Sequence, residues 1–123
     1  MPTPITVEVA GRVYQAELAD TPFARKVYKA LPIAARGNRW GEEIYFSTPV
    51  SGGLDETADD VVPVGTIGYW PPGKAICFFF GPTPVSEDDE CRAASPVNQI
   101  GRFLSDTESL KQAPDGAEVV ITA

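Results

Sequence analysis

Apolar and polar residues alternate from the start of the chain, with Thr6 and Glu8 separating Ile5, Val7 and Val9. A period of two is that of a strand with one buried face. Gly11-Arg12 supplies a turn and Val13 to Leu18 continues as a partner strand, so the pattern predicts an opening hairpin. The period then changes. Thr21 can accept from free helix amides, Pro22 fits a first helical position, and Phe23, Val27 and Leu31 recur at i, i+4 and i+8. This predicts an amphipathic helix, stopped by Pro32, that lies as a lid over one end of a β core.

Ile33 to Arg36 reads as a short strand, Gly37-Asn38 as a turn, and Arg39 to Phe46 as the next strand. Residues 51–60 form an acidic, exposed loop, and Val61, Val62 and Val64 lead into the segment Gly65 to Pro84, GTIGYWPPGKAICFFFGPTP. That segment predicts strand, tight turn, strand and a rigid Gly/Pro exit, with Pro72-Gly73 at the centre of a type II turn. Gly65 and Gly68 suit a sharply curved sheet, which favours a closed barrel over a flat sandwich. After an acidic excursion at Ser86 to Cys91, Val97 to Phe103 reads as a strand. Ser105 and Glu108 have capping-box spacing and predict a second short helix through Gln112. Pro114-Asp115-Gly116 turns the chain into a last strand, Ala117 to Ile121. With no internal repeat and no linker, residues 1–123 read as one mainly β domain, a barrel with two short capping helices.

At 123 residues the chain is long enough to hold a core without metal or disulfide. Its net charge of −7, with no basic stripe, argues against nucleic acid and anionic membrane as partners. No apolar run approaches the ~20 residues that span a bilayer. The N-terminus lacks a basic segment followed by an apolar one, and the expected location is cytoplasmic. Histidine is absent, which removes His-based triads and His-containing zinc sites. The acidic runs lack the alternating ligands of a calcium loop, so neither metal nor cofactor is expected. Cys77 reads as a small core residue, and the redox state of Cys77 and Cys91 is left open.

The candidate chemistry is aromatic. Tyr69, Trp70, Phe78, Phe79 and Phe80 stand on the two arms of one hairpin, with Phe78 and Phe80 on one face and Phe79 on the other. The plain reading is core for both sets. The sharper one is a groove walled by Tyr45, Tyr69, Trp70 and Phe78 or Phe80, because Tyr and Trp suit partly wet sites. Glu42 and Glu43 face opposite ways and cannot act as a carboxylate pair. Glu43 is expected to hold Arg39 or Arg102 in a structural ion pair, which could anchor a ligand. Asn98 and Arg102 are four apart and share a strand face, where Arg102 could bind a carboxylate or carbonyl that Asn98 orients. An exposed edge position is the equal alternative. No catalytic set emerges.

Three longer words carry a family resemblance: Trp40 to Phe46 (WGEEIYF), Gly65 to Trp70 (GTIGYW) and Phe79 to Pro84 (FFGPTP). They are similar to those of a family of small prokaryotic cyclophilin-like proteins of unassigned function. The hairpin and the later QIGRF also resemble the cyclophilin fold, a closed β-barrel capped by two helices. The resemblance covers roughly residues 3 to 121. It implies a groove in which Phe79 or Phe80 matches a groove phenylalanine and Val97 stands where prolyl isomerases carry a histidine. The only methionine is Met1, and Arg36 or Arg39 lies near the strand that carries the isomerase arginine. The expected function is a binding module for a peptide or small polar ligand, without covalent chemistry. Two alternatives stand beside it: a prolyl isomerase using Arg36, Arg39 or Arg102, and a subunit of an amide- or lactam-hydrolysing enzyme. A second copy or an enzyme partner is compatible with either.

Overall fold

The opening alternation is realised as a hairpin. In the computed structural model, which describes residues 2–123, β1 (Thr3–Val9) pairs antiparallel with β2 (Arg12–Leu18), with Val7 opposite Tyr14. Ile5, Val7 and Val9 are buried, as are Tyr14, Ala16 and Leu18, so both strands turn one face to the core. Helix α1 (Pro22–Lys29) starts as the sequence predicts, with Thr21 Oγ1 accepting from the Ala24 amide at 3.2 Å. Ala24 and Val27 are buried, and Phe23 and Leu31 pack against the same core.

The remaining strands are β3 (Ile33–Arg36), β4 (Asn38–Arg39), β5 (Glu43–Ser47), β6 (Asp59–Val62), β7 (Thr66–Trp70), β8 (Ala75–Phe79), β9 (Cys91–Phe103) and β10 (Glu118–Thr122). Hydrogen bonds join them in the order β3-β10-β1-β2-β9-β7-β8-β5-β4, and β6 pairs separately with β9. Every pairing is antiparallel. The end strands β3 and β4 are not paired with each other, so the sheet is not the closed barrel that the glycines led one to expect. The reason lies at Gly37, the single residue between them. Up to this point the chain pairs with β10, and the Gly37 amide still donates to Ala117 O at 2.8 Å. From Asn38 onward the partner is β5. One short segment therefore serves two neighbours in succession rather than closing a ladder.

Three further expectations are corrected. There is one α-helix, not two: Glu108–Gln112 is a 3₁₀ turn. The capping box does not form because Ser105 Oγ accepts from the Gln15 amide instead, and Pro114 prevents extension. The strand expected over Arg39 to Phe46 is interrupted by a turn at residues 40–42, where Gly41 takes φ +62°. The hairpin tip is a 3₁₀ turn, Pro71–Gly73, and Lys74 rather than Gly73 adopts the left-handed conformation (φ 48°, ψ 43°).

Register sorts the hairpin residues onto two faces. Glu43 pairs with Phe79, Tyr45 with Cys77, and Trp70 with Ala75. Ile44 pairs with Phe78, which also pairs with Ile67, and Tyr69 pairs with Ile76. The second set belongs to the main core, where Phe78 packs edge-on to Phe46 and Phe103 at centroid distances of 5.4 and 5.1 Å. The first set faces outward and is covered by a smaller apolar cluster that includes Phe79, Cys77, Cys91, Ala93 and Val97. The long strand β9 crosses from one cluster to the other. Among the described residues no helix is long and apolar enough to cross a membrane.

Candidate functional site

A hollow of about 280 Å³ opens on the outward face of β5, β7 and β9. Trp40, Tyr45 and Trp70 line it, with Ala93, Ala94 and Val97 on the β9 side and Glu43 among them. The three aromatic residues are half-buried, whereas Glu43 is only 5% exposed.

Local structure explains each placement. Tyr45 and Glu43 are two apart on β5 and so share a face. Trp70 ends β7, and its indole N–H donates to Ser95 Oγ at 2.6 Å, which fixes the ring beside β9. Gly73 makes room for that ring: a Cβ there would stand 3.0 Å from its edge carbons. Trp40 reaches the hollow through the turn at Gly41. Its amide donates to Glu43 O at 3.0 Å, and the Glu42 amide donates to Pro82 O at 2.8 Å. A Cβ on Gly41 would meet Thr83 Cα at 2.8 Å, so only glycine lets this turn seat against the Gly/Pro exit.

The electrostatics centre on Glu43. Burial raises its pKa from 4.5 to about 7, opposed by a hydrogen bond from the Cys77 side chain. Its Oε1 is buried and has no hydrogen-bond partner. Among the described residues no Lys or Arg pairs with it. The Cys77 thiol is in turn held well above its ordinary value, first by burial and then by the Glu43 charge. Cys91 is also pushed up, chiefly by burial. Both cysteines are free and buried, so neither is poised as a thiolate nucleophile. Among the described residues no cluster of ligating side chains could hold a metal ion.

Of the residues singled out from the sequence, Glu43, Tyr45 and Trp70 come together here. The others go elsewhere. Phe78 and Phe80 are in the main core, and Tyr69 is buried there with its hydroxyl donating to Val50 O at 2.8 Å. Asn98 is fully buried and holds the acidic loop, donating to Gly53 O at 3.0 Å and accepting from the Asp55 amide at 2.8 Å. Arg102 is exposed and pairs with Glu17 at 3.0 Å. Asn98 and Arg102 do not share a face, because the pairing slips between Ile67↔Gly101 and Gly68↔Gln99 and leaves Ile100 as an extra residue. Arg39 donates to Ala113 O at 2.7 Å and lies 5.1 Å from the Phe80 ring centroid, so the expected pair with Glu43 does not form. Arg36 is tied to Gly116 O and Glu118.

Sequence reasoning left out Trp40, Ala93 and Ala94. Trp40 had a signal in the word WGEEIYF, but its role depended on the Gly41 turn. Val97, placed by resemblance at the isomerase histidine position, does line the hollow. Two wider grooves, of 470 and 480 Å³, lie elsewhere on the surface. Neither contains a buried polar atom that lacks a partner.

Comparison with known proteins places the chain in a family. The cyclophilin-like family model matches residues 3–122. The chain is similar to the hypothetical protein AF2241 from Archaeoglobus fulgidus, with 43% identity, 98% of this chain and 94% of that one covered, and a TM-score of 0.82. It is also similar in fold to McbB, solved in complex with tryptophan, at 15% identity and a TM-score of 0.72. That match covers 96% of this chain and 44% of McbB. No curated protein matches the chain.

Proposed function

The chain belongs to the cyclophilin-like family, and we propose that it is a binding module for a small polar ligand held in the hollow at Glu43. One observation carries this reading: a buried carboxylate oxygen without a partner stands among three half-buried aromatic side chains. Leaving such an acceptor unsatisfied costs roughly 1–3 kcal/mol. Glu43 lines the hollow, and we read its unsatisfied atom as the partner of a donor brought by the ligand. Tyr45, Trp40 and Trp70 supply apolar walls, and a few polar groups on apolar walls are the usual make-up of a ligand site. The volume of about 280 Å³ suits one small molecule or side chain, not an extended peptide. McbB, of the same fold, holds a small molecule, tryptophan.

Binding without covalent chemistry is the reading retained. Arg36, Arg39 and Arg102, the residues considered for isomerisation, all lie outside the hollow, and each is engaged by backbone carbonyls or carboxylates. A thermal-shift screen of small polar molecules tests the proposal, with Trp70→Phe and Trp70→Ala as controls. Ligands should raise the melting temperature of the parent protein, and the gain should shrink in both variants. A screen in which nothing raises it, or in which Trp70→Ala responds equally, rejects the site.

A further inference from the structure

We infer that the ligand carries a compact cationic head, an ammonium group bearing hydrogen or methyl substituents, seated against Glu43 and enclosed by Trp40, Tyr45 and Trp70. This inference rests on the binding site proposed above and specifies its chemistry. The lining offers three aromatic residues, a carboxyl group, two alanines and a valine, and no Lys or Arg. Aromatic faces carry negative potential and attract cations, most strongly where water is excluded. A buried carboxylate attracts them further, and at net charge −7 the whole molecule repels anions. An ammonium N–H would also satisfy Glu43 Oε1, the one polar atom of the hollow's lining that is buried without a hydrogen-bond partner. A fully methylated head would instead make its contacts through the rings and the carboxylate charge alone.

The groups facing Glu43 do not compete for this role. Cys77 on β8 and Cys91 on β9 are the titratable neighbours from adjoining strands, and both stay neutral because burial raises their pKa values. Tyr45 is the remaining titratable group lining the hollow. A cation therefore finds one charge partner, Glu43, whose carboxyl has to give up its proton to serve. Binding should release a proton wherever Glu43 is protonated in the free protein.

Both tryptophans of the chain line the hollow, so intrinsic tryptophan fluorescence reads occupancy directly. The probes are methylammonium, tetramethylammonium and choline, with 3,3-dimethylbutan-1-ol as the uncharged isostere of choline. At about pH 8.5 at least one cation should give a saturable change, and choline should bind about ten-fold or more tightly than its isostere. At about pH 5.5 cation binding should weaken more than about ten-fold while the alcohol is unaffected. Glu43→Gln should abolish the preference for charge, and Glu43→Asp should retain part of it. Equal affinities for choline and the alcohol, or a preference untouched by Glu43→Gln, would overturn the inference while leaving a shape-selective hollow in place. If no cation in the series binds, the inference fails whatever the broader screen finds. If the screen also finds nothing, the binding site itself is rejected.

Discussion

Replacing Glu43 with Gln tests the electrostatic reading of the site without any ligand. The amide keeps the shape of the side chain and cannot ionise. In the folded protein burial lifts the Glu43 carboxyl from 4.5 to about 7. At about 1.4 kcal/mol per factor of ten in proton affinity, this corresponds to roughly 3 kcal/mol. The sign follows from which state holds the proton more tightly. Between pH 4.5 and about 7 the folded chain keeps it and the unfolded chain has lost it. Stability contributed by this group is therefore fully present below about 4.5 and is lost as pH rises to about 7. For a domain of this size the loss amounts to a fall of about 10 °C in melting temperature. Glu43→Gln should lack this fall, so the variant should gain on the parent protein as pH rises and draw level with or drop below it near pH 4.5. Calorimetry or circular dichroism at a series of pH values measures both curves. No imidazole titrates in the window, because the chain has no histidine. Parallel curves for parent and variant would refute a buried carboxyl of raised proton affinity at this position.

Other consequences are as direct. Gly41→Ala places a Cβ against Thr83 Cα at a positive φ, and should cost about 2 kcal/mol and also weaken ligand response, since the turn carries Trp40. Chemical denaturation measures the first effect and the fluorescence titration the second. Lys74→Gly relieves a left-handed backbone at an exposed position and should raise stability by about 0.5–1 kcal/mol, seen as a higher urea midpoint at unchanged slope. Cys77 and Cys91 should both react slowly with an aromatic disulfide reagent in the native protein, while unfolding in guanidinium releases two equivalents at once. Fast reaction of either thiol before unfolding would contradict their burial.

The elements were legible wherever a local pattern decided them. The period-two alternation at Ile5, Val7 and Val9, and the Thr21-Pro22 start of α1, depend on neighbours a few residues away, and both formed as read. The second helix failed because Ser105 found a distant partner, the Gln15 amide, and a capping signal cannot foresee such competition. The shared face of Asn98 and Arg102 failed on one extra residue, Ile100, which shows only when β9 is set beside β7.

The candidate site shows the same division. The chain alone established parity within each strand, Glu43 with Tyr45 on one face of theirs and Phe78 opposite to Phe79 on another, because successive side chains on a strand must alternate. It also removed histidine chemistry outright, since that depends on composition only. Which side became interior, and which strand lay beside which, was settled by folding. Antiparallel register brought Trp70 level with Ala75 and Glu43 level with Phe79, and β9 crossed their outer face to complete the hollow. Those contacts join residues dozens of positions apart, and their energies depend on packing and desolvation that no local pattern encodes. The buried, unpartnered Oε1 of Glu43 is therefore a property of the tertiary structure, although the glutamate itself was in plain view.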